Sequence, residues 1–342
     1  MKLATLKDGT RDGQLVVVSR DLKTAHVADG IAPSLQAALD DWAFIAPQLQ
    51  TLYGELNADR ARRAFDFDPA RCMAPLPRAY AFVEACAWPS HAERLRQAGM
   101  PALPASQADE PVLWRATSDA FLGPHDPIEL PHDAGGIDVA GGLAVITDDV
   151  PAGATPDVAL GRIRLLLLTN AVTQRMLAAS ELERGCGLLA ARPATAFAPV
   201  AVTPEALGDA WRDAKIRRPL RVACNGGALG QPDAGEAMAV NFAQLVAHLC
   251  TIGDVAAGTV VAAGPVSGRK VKGGFACIAE RRAQEIIDTG EPVTPYLRFG
   301  DTVRIEMLDE AGKSVFGAIE ATVAPQERSA VKRGQHDKIR PS

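Results

Sequence analysis

Residues 135–150, GGIDVAGGLAVITDDV, constrain this chain more than any other stretch. Read as one strand, they put Ile137, Val139, Leu143 and Val145 on one face, because successive side chains of a strand point to opposite sides. The other face is Asp138, Ala140, Gly142 and Ala144. Small side chains in a row leave an open floor, and Gly141 with Gly142 weakens a strand unless something lies close above it. Either a ligand or another stretch of backbone fills that space. Such a strand needs a large surrounding core, and a chain of 342 residues can supply one large or two ordinary domains.

Composition narrows the function classes. The formal net charge of -5 carries no basic excess, so nucleic acid is not expected as a partner, since phosphate binding needs a clustered cationic face. No apolar run approaches the length of a membrane span, and MKLATLKDGTRDG is too polar for a signal peptide, so the expectation is a cytoplasmic protein with no membrane partner. Six cysteines are scattered without a CxxC pair, which signals neither a zinc site nor a disulfide framework. They read as small core residues.

The chain opens on alternating apolar residues at 3–6 and 14–18 around Asp8-Gly9 and Asp12-Gly13, the pattern of a β-hairpin, with a further strand at 25–27. Leu35, Leu39, Trp42, Ile45, Leu49 and Leu52 recur at helical spacing behind Ser34, a fitting N-cap. Prolines at 69, 75 and 77 punctuate a linker, because each fixes φ and bars the preceding residue from helix. A boundary near residue 75 is therefore expected. Beyond it the sequence predicts a helix entered just after His91, a loop over 98–118 that could act as a lid, a buried strand at 163–168 and a helix over 170–183. Strands at 199–204 and 220–224, a helix at 241–249, a strand at 260–263 and a helix at 281–288 follow. A closing hairpin turns at 309–312, and residues 326–342 have no apolar period and read as a flexible tail.

In combination, FLGP (121–124), GID followed by LAVITDDVP (143–151), RPATAFAPVAVTPEALGDAW (192–211), CIAERR (277–282) and FGDTVRIEMLDEAGKSVFGAIE (299–320) carry a resemblance. The chain resembles the two-domain bacterial branch of the fumarylacetoacetate hydrolase family over nearly its whole length. The resemblance implies an α+β fold, with a mixed β-roll catalytic domain at 76–325, a small N-terminal α+β domain at 1–75 and the tail at 326–342. It also implies a homodimer acting on a small-molecule substrate. Family members cleave or rearrange 2-keto and 1,3-diketo acids with a bound Mg²⁺, Mn²⁺ or Ca²⁺, a hard cation that polarises keto and enolate oxygens.

This sequence departs from the family pattern at the metal. The Glu-x-Glu positions fall on Ala140 and Gly142, and the Asn-Asp dipeptide reads Asn170-Ala171. Glu84, seven residues before His91, is left as the one matching carboxylate, and a shifted site pairing it with Asp138 is conceivable. The family lysine is Arg192, which keeps a cation but changes a compact ammonium into a planar fork. A Gly-Thr turn is Gly264-Pro265, which loses a hydroxyl and a backbone donor.

His91 matches the family histidine that activates water, and Glu280 matches its acid partner, which can fix the tautomer and raise basicity. The catalytic candidates are His91, Glu280 and Arg192; the substrate-binding candidates are Arg192, Ala140, Gly142, Asn170, Gly264 and Pro265. Each has a plainer reading: His91 as a helix-start residue, Glu84 and Arg192 as a salt bridge in place of an ion. His26, His125, His132, Asp133 and His248 read as surface or core residues. The expected function is a hydrolase- or lyase-like enzyme on a small 1,3-diketo or 2-keto acid. C–C hydrolysis, keto–enol, dehydration or decarboxylation chemistry would run through the histidine with no required metal, Mg or Mn remaining compatible. The alternatives are a catalytically silent homologue serving as a binding or dimer partner, and a biosynthetic enzyme recruited to a larger substrate.

Overall fold

Lys2–Leu6 and Gln14–Val18 pair antiparallel across the expected turn, and Thr24–Val27 adds to them. The structure is a computed structural model that describes residues 1–103, 110–185 and 188–326. Ser34 caps the first helix, its side chain accepting from the Ala37 amide, but the helical stretch is split at Asp41 into Leu35–Asp40 and Trp42–Asn57.

The N-terminal strands share one eleven-stranded sheet with the rest of the chain. Its order is Phe65–Asp66, Thr24–Val27, Gln14–Val18, Lys2–Leu6, Ala201–Val202, Ile163–Asn170, Gly141–Thr147, Val260–Pro265, Phe82–Ala85 and Leu113–Ala116, with Ala196–Phe197 beside Ile163–Asn170. The join is Lys2 and Leu3 against Val202 and Ala201, so the hydrogen-bonded sheet is continuous across the boundary expected near residue 75. A second sheet of five strands holds Gly227–Gly230, Leu220–Cys224, Thr302–Met307, Ile319–Pro325 and Ile128–Leu130. Most pairings are antiparallel, with Val260–Pro265 on Phe82–Ala85 and Ile319–Pro325 on Ile128–Leu130 parallel, so the α+β class with mixed sheets holds.

Central strands of the large sheet are covered on both faces, which is why they read as unbroken apolar runs. Leu166 and Leu168 enter the core shared with the second sheet, while Leu165 and Leu167 enter the core beneath the Leu35–Asp40 and Trp42–Asn57 helices. Phe82, Phe121 and Phe197 meet edge to face in that second core, with centroids 4.9 to 6.3 Å apart.

The stretch at 135–150 is not one strand. It breaks into Ile137–Asp138 and Gly141–Thr147, with Ala140 bridging to Cys277 between them. Nor is its small-residue face an open floor. A Cβ on Gly142 would lie 2.6 Å from the Gly264 carbonyl oxygen and 2.9 Å from Thr169 Oγ1, so backbone takes the space. Four other expectations also shift. The helix begins at Pro89, ahead of His91. Asn170 ends a strand, and the helix after it is Arg175–Glu183, preceded by the short strand Thr173–Gln174. Residues 98–118 contain the edge strand Leu113–Ala116, and part of that stretch lies outside the described residues. The last expected helix is longer, Ile278–Thr289. The tail from 327 onward and Cys186 also lie outside the described residues. Of the other cysteines, Cys72, Cys86, Cys250 and Cys277 are buried and Cys224 half-buried, all as free thiols. No described helix is long and apolar enough to cross a membrane.

Candidate active site

Phe82–Ala85 is a fully buried strand, so its one charged side chain, Glu84, must find partners inside the protein. Trp114, opposite it on the neighbouring strand, donates its indole N–H to Glu84 Oε2 at 3.1 Å. Arg192 Nε lies 3.3 Å from the same oxygen, an ion pair whose angle does not make a hydrogen bond. Arg192 Nη1 donates to the Ala171 carbonyl at 2.6 Å, while Glu84 Oε1 is buried without a hydrogen-bond partner among the described residues. Burial pulls the Arg192 guanidinium below the ordinary arginine range, against the attraction of Glu84 and with the help of Arg175 nearby.

His91 sits in the first turn of the Pro89–Gln97 helix, which Pro89 opens at a position where its missing N–H costs nothing. It faces the start of the Ile278–Thr289 helix: His91 Nδ1 is 3.4 Å from Glu280 Oε2 and 3.8 Å from Cys277 Sγ. The histidine and its expected acid partner are thus brought together. Glu280 is not reserved for His91, however. Its Oε1 accepts from Arg94 Nη1 and, at 2.5 Å, from the Ser267 hydroxyl, which also contacts Ser90 Oγ at 2.8 Å. Arg94 stands one turn after His91 and also donates to Gln284 Oε1 and to the carbonyls of Gly268 and Arg269. The sequence reading missed it, although the i, i+3 spacing places residues 91 and 94 on one helix face.

Asp138, conceived as a partner of Glu84 in a shifted metal site, is engaged by other groups. Its Oδ1 accepts from the Ile278 amide at 2.6 Å and its Oδ2 from the Ala279 amide at 3.2 Å, so it closes the N-terminus of the Ile278–Thr289 helix. Arg175 completes its shell through Nε at 2.8 Å and Nη2 at 2.6 Å. Burial is the largest influence on the Arg175 charge and works against it, yet Asp138, through its charge and its hydrogen bond, together with Cys277 and Tyr296, raises the guanidinium above its usual range.

A cavity of about 60 Å³ opens between these elements. Of the expected site residues, His91, Arg192 and Pro265 line it, and Arg175, not singled out from the sequence, joins them. Glu84 and Glu280 stand behind the wall, on Arg192 and His91. Ala140, Gly142, Asn170 and Gly264, also expected at the site, are not among the cavity's described lining residues. Asn170 Oδ1 accepts from the Ala140 amide at 3.1 Å, its amide nitrogen is buried without a partner among the described residues, and Gly264, at φ +88°, presses on Gly142. His125 and Asp133 make contacts elsewhere, with Glu320 and Arg298.

The residues fit a divalent cation poorly. A hard ion of the Mg²⁺ or Ca²⁺ kind takes six or more oxygens, usually several carboxylates. Here Ala140, Gly142 and Ala171 supply none, and Glu84 has one unclaimed oxygen beside a guanidinium. A second group, His91, Cys277 and Glu280, has ligand atoms within 4.8 Å of one another. In it, Arg94 already occupies Glu280, and burial, with Asp138 and Glu280 nearby, pushes the Cys277 thiol well above its ordinary range, away from the thiolate a metal needs.

Comparison with known proteins accounts for this architecture. Residues 1–78 match the family model described as fumarylacetoacetase N-terminal domain 2, and residues 81–324 match fumarylacetoacetate (FAA) hydrolase C-terminal. Among solved structures, the chain is similar to fumarylacetoacetate hydrolase from psychrophilic Exiguobacterium antarcticum, with TM-score 0.64 and 21% identity over 95% of this chain and 100% of that one. It is also similar to 2-hydroxyhepta-2,4-diene-1,7-dioate isomerase from Mycobacterium marinum, with TM-score 0.57 and 18% identity over 96% and 100% of the two chains. Maleylpyruvate hydrolase from Sphingobium sp. SYK-6, in complex with manganese (II) ion and pyruvate, gives TM-score 0.60 and 14% identity over 96% and 100%. These identities speak for the fold alone, and no curated protein matches the sequence. On the two family models, which together span residues 1–78 and 81–324, the chain belongs to the fumarylacetoacetate hydrolase family.

Proposed function

We propose that this family member is an enzyme acting on a small 1,3-diketo or 2-keto acid, with His91 as general base and Arg192 receiving the substrate carboxylate. The observation that carries the reading is the convergence of an imidazole, backed by a buried carboxylate, and a buried guanidinium on one cavity. Names of structural neighbours agree in kind: one hydrolyses maleylpyruvate and holds pyruvate, another isomerises a hydroxylated dienedioate.

For C–C hydrolysis, the ring nitrogen of His91 that does not face Glu280 takes a proton from water, and the resulting hydroxide adds to the distal carbonyl. The C–C bond then breaks, releasing a carboxylic acid and an enolate, and the proton on His91 passes to the enolate carbon. Arg192 and Arg175 offset the negative charge that develops next to them. Keto–enol, dehydration or decarboxylation steps draw on the same base. The proposal requires no resident divalent ion; what supports this is the small number of free oxygen donors, with Mg²⁺ or Mn²⁺ at His91, Cys277 and Glu280 as its rival. A homodimer is part of the proposal on the family resemblance, and sedimentation as a monomer would count against it.

The test follows loss of enol absorbance for a panel of acylpyruvates and 1,3-diketo acids, with Mg²⁺ and with EDTA. Turnover is expected to survive EDTA and to fall by about 100-fold or more in His91→Ala. A requirement for Mg²⁺ would remove the metal-free part, and unchanged turnover in His91→Ala would remove the histidine's role. A silent homologue is favoured by one observation, the hold of Arg94 on Glu280, and predicts no turnover together with co-purification of an active paralogue. Recruitment to a larger substrate gains no support from a cavity of about 60 Å³ or from a strand floor filled by backbone.

A further inference from the structure

We infer that Arg94 is a positioning residue for His91: by holding Oε1 of Glu280 it leaves Oε2 to accept from Nδ1 of the imidazole, which keeps the ring proton on Nδ1 and frees Nε2 to act as the base. This rests on the reading of His91 as a base above and adds the residue that places its proton. Arg94 is anchored at all three nitrogens. Its Nε donates to Gln284 Oε1 at 3.1 Å, its Nη2 to the Gly268 and Arg269 carbonyls at 3.2 and 3.4 Å, and its Nη1 to Glu280 Oε1. The guanidinium thereby ties the Pro89–Gln97 helix, which also carries His91, to the 268–269 turn and to the Ile278–Thr289 helix, which carries Glu280. It is absent from the described lining of the cavity, so any effect it has on the chemistry passes through a neighbour.

Glu280 divides its oxygens between two jobs. Oε1 takes Arg94 and, at 2.5 Å, the Ser267 hydroxyl, while Oε2 faces His91 Nδ1 at 3.4 Å. Paired with a permanent cation, the side chain is a carboxylate and accepts at both oxygens. An acceptor opposite Nδ1 puts the ring proton there, and a neutral ring with its proton on Nδ1 carries its lone pair on Nε2. Cys277, with its sulfur 3.8 Å from Nδ1, is a weaker partner for that nitrogen than the carboxylate. Without the guanidinium, a carboxylate as buried as Glu280 either takes up a proton or draws one onto its neighbour, and Ser267, which carries no charge, does not prevent this. Both results put a proton on Nε2. A protonated Glu280 donates to Nδ1 and moves the ring hydrogen across, and an imidazolium holds a hydrogen on each nitrogen.

Nitrogen-15 NMR of the full chain with labelled histidine, at about pH 8 where an unperturbed imidazole is neutral, reads the protonation of the two ring nitrogens separately. The His91 ring, one of six, is assigned by its loss in His91→Gln. The natural chain is expected to show a hydrogen on Nδ1 and none on Nε2, and Arg94→Met a hydrogen on Nε2. On the keto-acid panel, Arg94→Met should lower kcat at least about tenfold with KM held within about twofold. Arg94→Lys, which keeps a cation beside Oε1, should restore the ring spectrum and most of kcat, and in a His91→Ala background Arg94→Met should have no further effect on turnover. A hydrogen on Nε2 in the natural chain would overturn the inference without any substitution. An unchanged ring spectrum in folded Arg94→Met, or an equal loss of kcat with and without His91, would also overturn it. Failure of the natural chain to turn over any acid would overturn the keto-acid reading instead, and the ring spectrum would then decide this inference alone.

Discussion

Replacing Arg94 by methionine isolates the ion pair that competes with His91 for Glu280. Methionine keeps much of the arginine stem's volume and its contact with the Phe275 ring, over which the guanidinium carbon now sits at 5.6 Å. What disappears is the charge and its hydrogen bonds to Glu280, Gln284 and the Gly268 and Arg269 carbonyls. Arg94 and Glu280 are 9% and 0% exposed, so the carboxylate left behind is inside the protein with Ser267 and His91 as its remaining partners. Breaking a buried pair from one side costs about 3–5 kcal/mol, because the surviving charge is uncompensated. With the entropy of unfolding typical for a chain of this length, that corresponds to a fall in Tm of roughly 4–7 °C. Urea unfolding at pH 7 measures it directly. The double substitution Arg94→Met with Glu280→Gln removes both charges and should recover most of the loss, giving a coupling energy of at least about 2 kcal/mol in the cycle. A single-site cost below about 1 kcal/mol, or strict additivity, would show that the pair is a solvated contact and that the reasoning about Glu280 is wrong.

Two further predictions rest on separate features. Gly142→Ala should destabilise by about 1–3 kcal/mol, since its Cβ would meet the Gly264 carbonyl at 2.6 Å, whereas Gly54→Ala, in a helix with nothing within 4 Å, should be neutral or stabilising; equal stabilities of the two variants in urea would refute the close approach. Burial, opposed by Asp309, lowers Lys2 from 10.5 to about 8, so the folded chain loses this proton first while the unfolded chain still holds it. Unfolding free energy should therefore rise between pH 8 and 10 by about 2 kcal/mol more in the natural chain than in Lys2→Met, and parallel pH profiles would contradict the assignment.

Local patterns predicted local structure well, because they are short-range. The Asp-Gly turns fixed the opening hairpin, Ser34 the start of a helix, and the leucine run at 165–168 a strand buried on both faces. Residues 135–150 misled because a period of two assumes an unbroken strand, and the break at 139–140 is imposed from outside by the bridge between Ala140 and Cys277. His91 and Glu280, 189 positions apart, came together as the resemblance implied. Arg94 and Arg175 escaped notice for another reason. Surface arginines are common, and what makes these two different is their partners, Glu280 and Asp138, which sit far away in sequence and become neighbours only on folding. The pairing of Glu84 with Arg192 was open beforehand as one of several partners, and burial of the Phe82–Ala85 strand on all sides is what forces it.

The contact of Gly142 with Gly264 decides which side chains position 142 can carry. A glutamate at 142 would carry its Cβ into the Gly264 oxygen, and Gly264, at φ +88° with its own missing Cβ 2.5 Å from the Ala85 carbonyl, has no room to retreat. A single substitution therefore does not fit an acid at this position; the 264–265 segment and the strand beneath it would have to change together.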